Sequence, residues 1–469
     1  MQNHNPAGTT VPDAPTFREL GVPEPVAREL DARGLSTAFP IQAATLPATL
    51  AGTDVLGRGR TGSGKTIAFG IPTVVRIAAS RSTRQPLKPR GLILVPTREL
   101  ANQVLASVAP MATAFGLRTA VVFGGVGQNP QVSALRKGVE VLVATPGRLE
   151  DLISQRLCDL SAVEVTVLDE ADHMSDMGFL PAVKRILDKT PRKGQRMLFS
   201  ATMDNDVDVL VKRYLTNPVT HSVDSAAAAV PDMAHHLVNV AAADKAGVIR
   251  ELASGHGRTV LFTRTKHAAK KLAKQLSAAG IPTVDLHGNL SQNARERNLA
   301  AFSSGDVRVL AATDIAARGI HVDEIELVVH VDPPAEHKAY LHRSGRTARA
   351  GATGAVVTIV TPEQRRDVAD LVRLAKVSPT TLSARAGSEE LRALVGPAAP
   401  RVEPSAQPAA TASAGGGRGS GGGSGTGGGG RSRGGRNRSR GGASPSTGGG
   451  GTRSGSAGRG RGRSRSRAA

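Results

Sequence analysis

The chain has 469 residues, 39% apolar and 21% charged, with a net charge of +21 and a pI near 11.0. At roughly 100–200 residues per domain that allows two or three domains, and the apolar share suffices for real cores. The single cysteine, Cys158, excludes an intramolecular disulfide and argues against a thiol metal site; no run of about 18 apolar residues is present to span a bilayer.

A positive excess this large points to a polyanionic partner, nucleic acid before membrane, although a solubilising tail gives the same charge. The opening MQNHNPAGTT lacks the basic-then-apolar pattern of a signal peptide, so residues 1–14 read as disordered and the expected setting is cytoplasmic. Aromatic residues make up 2% of the chain, with no Trp, so Val, Leu, Ile and Ala must fill the cores.

From residue 15 a pattern recurs: a short apolar run, a polar cluster, then an amphipathic stretch. LILV leads into PTREL from Leu92, VLVA into TPGR from Val141, VTVL into DEAD from Val165, and MLF into SAT from Met197. The stretch NPVTHSVDSAAAAVPDM interrupts it, and 219–234 reads as a linker. The pattern resumes with VLF then TRT from Val260, VDL then HGN from Val284, VRVL then AATD from Val307, and LVVHV then DPP from Leu327. Short β-branched runs alternating with helical stretches predict parallel sheets with helices on both faces. The chain therefore reads as two α/β lobes, 15–218 and 235–395, with ligands expected beyond the carboxyl ends of the strands. From residue 396 the composition becomes Gly, Ser and Arg. Residues 401–469 hold thirteen arginines against one glutamate, or +12 of the +21, and bury too little apolar surface to fold.

Gly59-Arg60-Thr61-Gly62-Ser63-Gly64-Lys65-Thr66 fits the phosphate-binding P-loop. Its glycines let successive N–H groups point at phosphate oxygens, and the helix that follows, IAFGIPTVVRIA, adds its positive N-terminal end. Lys65 is expected on the β and γ phosphates, and the Thr66 hydroxyl on Mg²⁺. Asp169, Glu170 and Asp172 crowd three carboxylates into four residues, and each should raise its neighbours' pKa. A bound cation resolves the crowding. Asp169 sits where the second Mg²⁺ ligand belongs, and Glu170 is placed to deprotonate the attacking water. Asp172 is expected to tie the site to a neighbouring loop.

Together, the P-loop and Asp169-Glu170-Ala171-Asp172 resemble the DEAD-box family of ATP-dependent RNA helicases, of the bacterial type with an Arg/Gly/Ser-rich C-terminal tail. The resemblance runs from about Phe17 to Val377. It implies two RecA-like lobes, ATP as substrate with Mg²⁺, and RNA as partner, with local, non-processive unwinding. In the first lobe it implies RNA contacts at Pro96, Thr97, Arg98, Gly125, Thr145, Gly147 and Arg148. In the second it implies them at Arg264, Gly288, Gln292, Arg295, Thr313 and Asp314. Ser200-Ala201-Thr202 resembles the element that couples hydrolysis to strand separation. Gln42 matches a residue that reads adenine, and Phe17 one that stacks beneath the base. Arg60 to Thr66 and Gly319 fall within the implied nucleotide site.

His342 to Arg349 resembles the arginine-finger motif. Arg346 and Arg349 are three apart and share a helix face, and such a finger contributes roughly 10³–10⁵ in rate. Thr, Gly and Arg suit phosphates and 2′-hydroxyls better than base edges, so little sequence preference is expected. Ala38-Phe39, His321, Ser344 and Ala348 depart from the family's spelling. Two other readings share the motifs: a DNA-directed motor on the same fold, and a non-enzymatic RNA clamp.

Overall fold

The computed structural model describes residues 14–59, 62–203, 205–223, 233–317, 322, 324–348 and 353–403. Seven strands form the first sheet: β1 (Val55–Arg58), β2 (Gly91–Leu94), β3 (Thr119–Val122), β4 (Val141–Ala144), β5 (Val165–Asp169), β6 (Gln195–Ser200) and β7 (Val219–Ser222). Their order is β3-β4-β2-β5-β6-β1-β7, and every pairing is parallel. A parallel sheet is covered on both faces, and accordingly β2, β4 and β5 are buried along their whole length. One apolar cluster lies on each face. Aliphatic side chains fill them, and the closest ring pair is Phe69 with Phe199, centroids 5.5 Å apart.

The second sheet holds β8 (Met233–Asn239), β9 (Arg258–Phe262), β10 (Thr283–Leu286), β11 (Val309–Ala312), β12 (Ile325–His330), β13 (Gly354–Val360) and β14 (Thr380–Ser383). Its order, β10-β11-β9-β12-β13-β8-β14, is the first sheet's order advanced by seven, again all parallel. Three apolar clusters pack around it. Among the described residues, no cluster mixes side chains of the two lobes. No helix there is long and apolar enough to cross a membrane.

Two expected boundaries move. The stretch 219–234 is not all linker: β7 pairs with β1 from Val55↔Val219 to Arg58↔Ser222, and β8 begins at Met233. β7 is an exposed edge strand, so its side chains carry no apolar signal. Nor does the second lobe end at 395. The Ala399 amide donates to the Ser254 carbonyl (2.8 Å) and the Val402 amide to the Gly280 carbonyl (2.9 Å), tying residues just past the last helix, Glu389–Val395, to the lobe. The rest of the expected tail, 404–469, lies outside the described residues, as do 1–13.

Helix starts gather at the carboxyl edge of the strands. Thr97, three residues past the end of β2, caps helix Arg98–Thr113 by accepting from the Leu100 amide (3.2 Å). In the second lobe Thr265 and Ser291 cap helices Lys266–Ala278 and Gln292–Ser304 in the same way. A side-chain oxygen at this position satisfies an otherwise orphaned helix N–H.

Candidate active site

β1 runs into the glycine-rich turn, and the Gly59 amide is pinned to the Ser200 carbonyl at the end of the neighbouring β6 (3.2 Å). Gly62 and Gly64 adopt φ +87° and +88°, a region that glycine enters freely. A Cβ on Gly64 would lie 2.4 Å from Gln42 Nε2, so the turn has no room for a side chain. Lys65, only 6% exposed, donates from Nζ to the Gly59 carbonyl (2.9 Å), curling across the loop. Ser63 Oγ is buried with no hydrogen-bond partner, and Thr66 is half-buried beside it at the start of helix Lys65–Ala79. A left-handed turn, a buried ammonium, an orphaned hydroxyl and a helix N-terminus form a cradle that fits phosphates. Arg60 and Thr61 lie outside the described residues.

β5 lies one strand beyond β6 and delivers Asp169, Glu170 and Asp172, all three buried. Burial pushes the Asp169 carboxyl up to about 7; Lys65 opposes this, while Glu170 and Asp172 add to it. A buried acid with so little compensating charge, next to a phosphate cradle and the Thr66 hydroxyl, fits a divalent cation. Asp172 does not follow the expected upward shift. Burial raises it, but His173 and the Thr202 hydrogen bond bring it below the ordinary carboxylate value on balance. Asp172 Oδ2 accepts from the Thr202 amide (2.9 Å) and hydroxyl (2.8 Å), and Ser200 Oγ donates to the Thr202 carbonyl (2.8 Å). The three residues expected to couple the site are thus one network.

Sequence reasoning missed His173. It follows Glu170 by three residues, a spacing that places the two side chains together, and its Nδ1 hydrogen-bonds Glu170 Oε2. Its ring meets His342 of the second lobe edge-on, centroids 4.3 Å apart. His342 Nε2 is 4.0 Å from Asp172 Oδ2, and its Nδ1 is 3.9 Å from Asp176 Oδ2. Burial pushes the His342 imidazole down to about 3, with His173 and Arg346 adding to it. Arg346 is buried and donates from Nε to the His342 carbonyl (3.2 Å), one turn back in the same lobe. Arg349, Gly319 and His321 lie outside the described residues.

Two expectations for the adenine end change. Phe17 is only 3% exposed and packed within the first lobe's core, with no ring face left for a base. Gln42 is turned inward: Oε1 accepts from the Phe39 amide (2.8 Å) and Nε2 donates to the Gly64 carbonyl (3.0 Å). The exposed ring at this edge is Phe39, at 47%.

A cleft of about 680 Å³ opens between the lobes. Pro96, Thr97, Arg98, Gly125, Thr145, Gly147 and Arg148 line one wall, and Gly288, Gln292 and Arg295 the other. Two bonds cross it. Arg98 Nη1 donates to Gln292 Oε1 (3.0 Å), and Arg295 Nε pairs with Glu99 Oε1 (2.8 Å). Arg148 Nη2 donates to the Val126 carbonyl (3.1 Å), which aims it along the same wall. The other three expected RNA contacts are not in this cleft. Arg264 lines a separate cavity of about 510 Å³ with Pro333 and Pro334. The Thr313 amide donates to the Leu286 carbonyl (3.2 Å), and Asp314 is held by a two-pronged pair with Arg343, 2.7 Å at Nη2. The pair holds Asp314 against its own lobe, outside the cleft.

Comparison with known proteins agrees with this geometry. Residues 39–210 match the family model described as DEAD/DEAH box helicase, and 244–351 match the helicase conserved C-terminal domain. The chain is 41% identical over 362 residues to DEAD-box ATP-dependent RNA helicase 3A, chloroplastic, of Zea mays, covering 76% of this chain and 48% of that one. It is 35% identical over 363 residues to the DEAD-box ATP-dependent RNA helicase CshA of Bacillus cereus, covering 77% and 68%. The chain thus spans only about half the length of the maize relative. Among solved structures, S. cerevisiae Dbp5 bound to RNA and ADP BeF3 superposes with a TM-score of 0.70 at 27% identity, covering 81% of this chain and 98% of that one. With its two RecA-like lobes and with the P-loop and acids where the fold demands them, this chain belongs to the DEAD-box helicase family.

Proposed function

We propose that the chain is an ATP-dependent RNA helicase that couples ATP binding and hydrolysis to local, non-processive unwinding or remodelling of RNA duplexes and RNA–protein complexes. One observation carries this reading: the acids of the first lobe lie against His342 of the second, while the same two lobes wall an arginine-lined cleft. Hydrolysis and strand grip then share one junction. The complex of the yeast relative with RNA and ADP BeF3 supports the pairing.

In this reading Lys65 and the amides of Gly62 to Thr66 bind the β and γ phosphates. Thr66 and Asp169 hold Mg²⁺, which when bound neutralises phosphate charge. Glu170 orients the attacking water and takes its proton. Arg346 and Arg349 meet the charge that develops on the transferring phosphoryl oxygens. Arg98, Arg148 and Arg295 grip phosphates through charge-assisted bonds, giving little base preference. Asp172, Thr202 and Ser200 pass the state of the site to the strand end of β6. The arginine-rich tail anchors RNA electrostatically and raises its concentration at the cleft. A reducing, cytoplasmic setting goes with the single cysteine, Cys158, whose buried thiol burial pushes up to about 12.

The test is steady-state ATPase with single-stranded RNA or DNA of equal length, together with separation of a short RNA duplex. RNA-stimulated turnover and strand separation are expected, with weak stimulation by DNA. Glu170→Gln should retain ATP and RNA binding and lose turnover. Equal stimulation by DNA would favour a DNA motor, and RNA binding without turnover would favour a non-enzymatic clamp.

A further inference from the structure

We infer that His173 is a positioning residue for Glu170, holding the water-activating carboxylate in orientation from a seat backed by the second lobe. The inference rests on the ATP-hydrolysis reading above.

Glu170 adopts φ +52°, a left-handed conformation that is strained for a non-glycine residue. Strain of this kind persists where surrounding structure holds it, commonly at reacting groups. The backbone alone does not fix the plane of the carboxylate. His173 adds a hydrogen bond to it. A carboxylate only accepts, so Nδ1–H is assigned as donor to Oε2, which makes the two oxygens inequivalent and sets the plane. Both side chains are buried, so water does not compete for the bond.

The back of the imidazole is where the second lobe enters. His173 Nε2 is buried with no hydrogen-bond partner, and the His342 ring packs edge-on against it at 4.3 Å and 70°. The groups facing this pair are Glu170, Asp172 and Asp176 from the first lobe and Arg346 from the second. When the second lobe withdraws, His342 leaves, water reaches His173, and the bond to Glu170 meets competition. Orientation of the base is thereby tied to the presence of the second lobe, through a contact distinct from the arginine fingers.

The experiment is RNA-stimulated ATPase of the full-length chain at saturating ATP and RNA, with three variants. His173→Ala removes donor and ring. His173→Phe keeps a ring against His342 without a donor. His173→Asn keeps an amide N–H close to the Nδ1 position without the ring. The expected result is a kcat roughly ten- to a hundred-fold lower in the Ala and Phe variants, the scale of a misplaced reacting group, with KM for ATP within about two-fold of wild type. The Asn variant should recover most of kcat. A Phe variant with wild-type kcat, or an Asn variant as slow as Phe, overturns the inference. Thermal melting of the Phe variant close to wild type shows that its loss is not one of folding; a kcat that merely tracks the melting temperature across all three overturns the positioning role. A wild-type chain without RNA-stimulated ATPase fails the parent reading and this inference with it; a stimulated wild type beside a fully active Phe variant fails this inference alone.

Discussion

Gly125→Ala measures how one backbone position governs the grip of Arg98. Gly125 has φ +79°, and a Cβ there would fall 2.1 Å from Arg98 Nη1 and 2.3 Å from its Cζ. Two separable costs follow. The left-handed backbone costs alanine about 1–2 kcal/mol, all of it in the stability of the first lobe. The clash itself is relieved cheaply, because a guanidinium is the far end of a flexible side chain. Relief moves it off Gln292 (3.0 Å) and away from the cleft wall, so the hydrogen bond this guanidinium is proposed to give an RNA phosphate is lost. Hydrogen bonds to charged groups contribute about 1.5–3 kcal/mol, and partial exposure of Arg98 puts this one near the lower end. RNA affinity should therefore fall about ten-fold, since 1.4 kcal/mol is one decade. The salt dependence of binding should also flatten by about 0.7, for one lost phosphate contact on a single strand. Urea unfolding gives the first cost and RNA titration across a salt series the second. Arg98→Ala should reproduce the RNA defect without the backbone strain. Wild-type RNA affinity in Gly125→Ala would refute the reasoning, because it would mean that Arg98 does not need the space this glycine leaves.

Other outcomes follow from single positions. Gly64→Ala, whose Cβ would meet Gln42 Nε2 at 2.4 Å with φ +88°, should lose at least about ten-fold in binding of a fluorescent ATP analogue while RNA binding without nucleotide is unchanged. Ala348 adopts φ +52°, so Ala348→Gly should relieve about 1–2 kcal/mol of strain and return about 0.4–1 through the looser unfolded chain. A net gain of roughly 0.5–1 kcal/mol should raise the melting temperature by about 2 °C in calorimetry, and a lower one contradicts the strain. His330 is fully buried and held well below the ordinary histidine value, first by burial and then by Arg343 and His235. Its folded pKa lies below its unfolded value, so its stabilisation is intact above about pH 6.5 and declines as the pH falls from there, by up to about 1.4 kcal/mol per pH unit. His330→Gln should flatten the fall of the urea midpoint between pH 6.5 and 5, and an unchanged slope would show that another group carries it.

The parts of the fold and site legible in the sequence are those with local causes. β2, β4 and β5 announce themselves because a strand buried on both faces must be apolar throughout, and the P-loop because a phosphate cradle needs glycines at fixed spacing. β7 and β14 were not legible: both are largely exposed edge strands, Val219–Ser222 and Thr380–Ser383, whose residues read as linker or loop. Phe17 seemed available to a base because its distance from Gln42 said nothing of the core that swallows it. His173 carried no signal by itself. Its meaning depends on His342, 169 positions away, and only the approach of the two lobes supplies that partner. Arg264 and Asp314 stand outside the interlobe cleft, Arg264 beside Pro333 and Pro334 and Asp314 on Arg343, and a motif's order along the chain does not say where on the lobe it comes to lie.

The two sheets share one strand order, and each lobe keeps its own apolar clusters. Among the described residues, the contacts seen across the junction are polar: Arg98 on Gln292, Arg295 on Glu99, and His342 against His173, Asp172 and Asp176. Parting the lobes therefore opens none of these apolar clusters, and the polar contacts it breaks are of a kind that water or RNA can replace. Among the described residues, the apolar clusters that fill each half do not extend across the seam between them. A motor built this way separates the task of staying folded from the task of moving, so repeated cycles of opening need not bring either half nearer to unfolding.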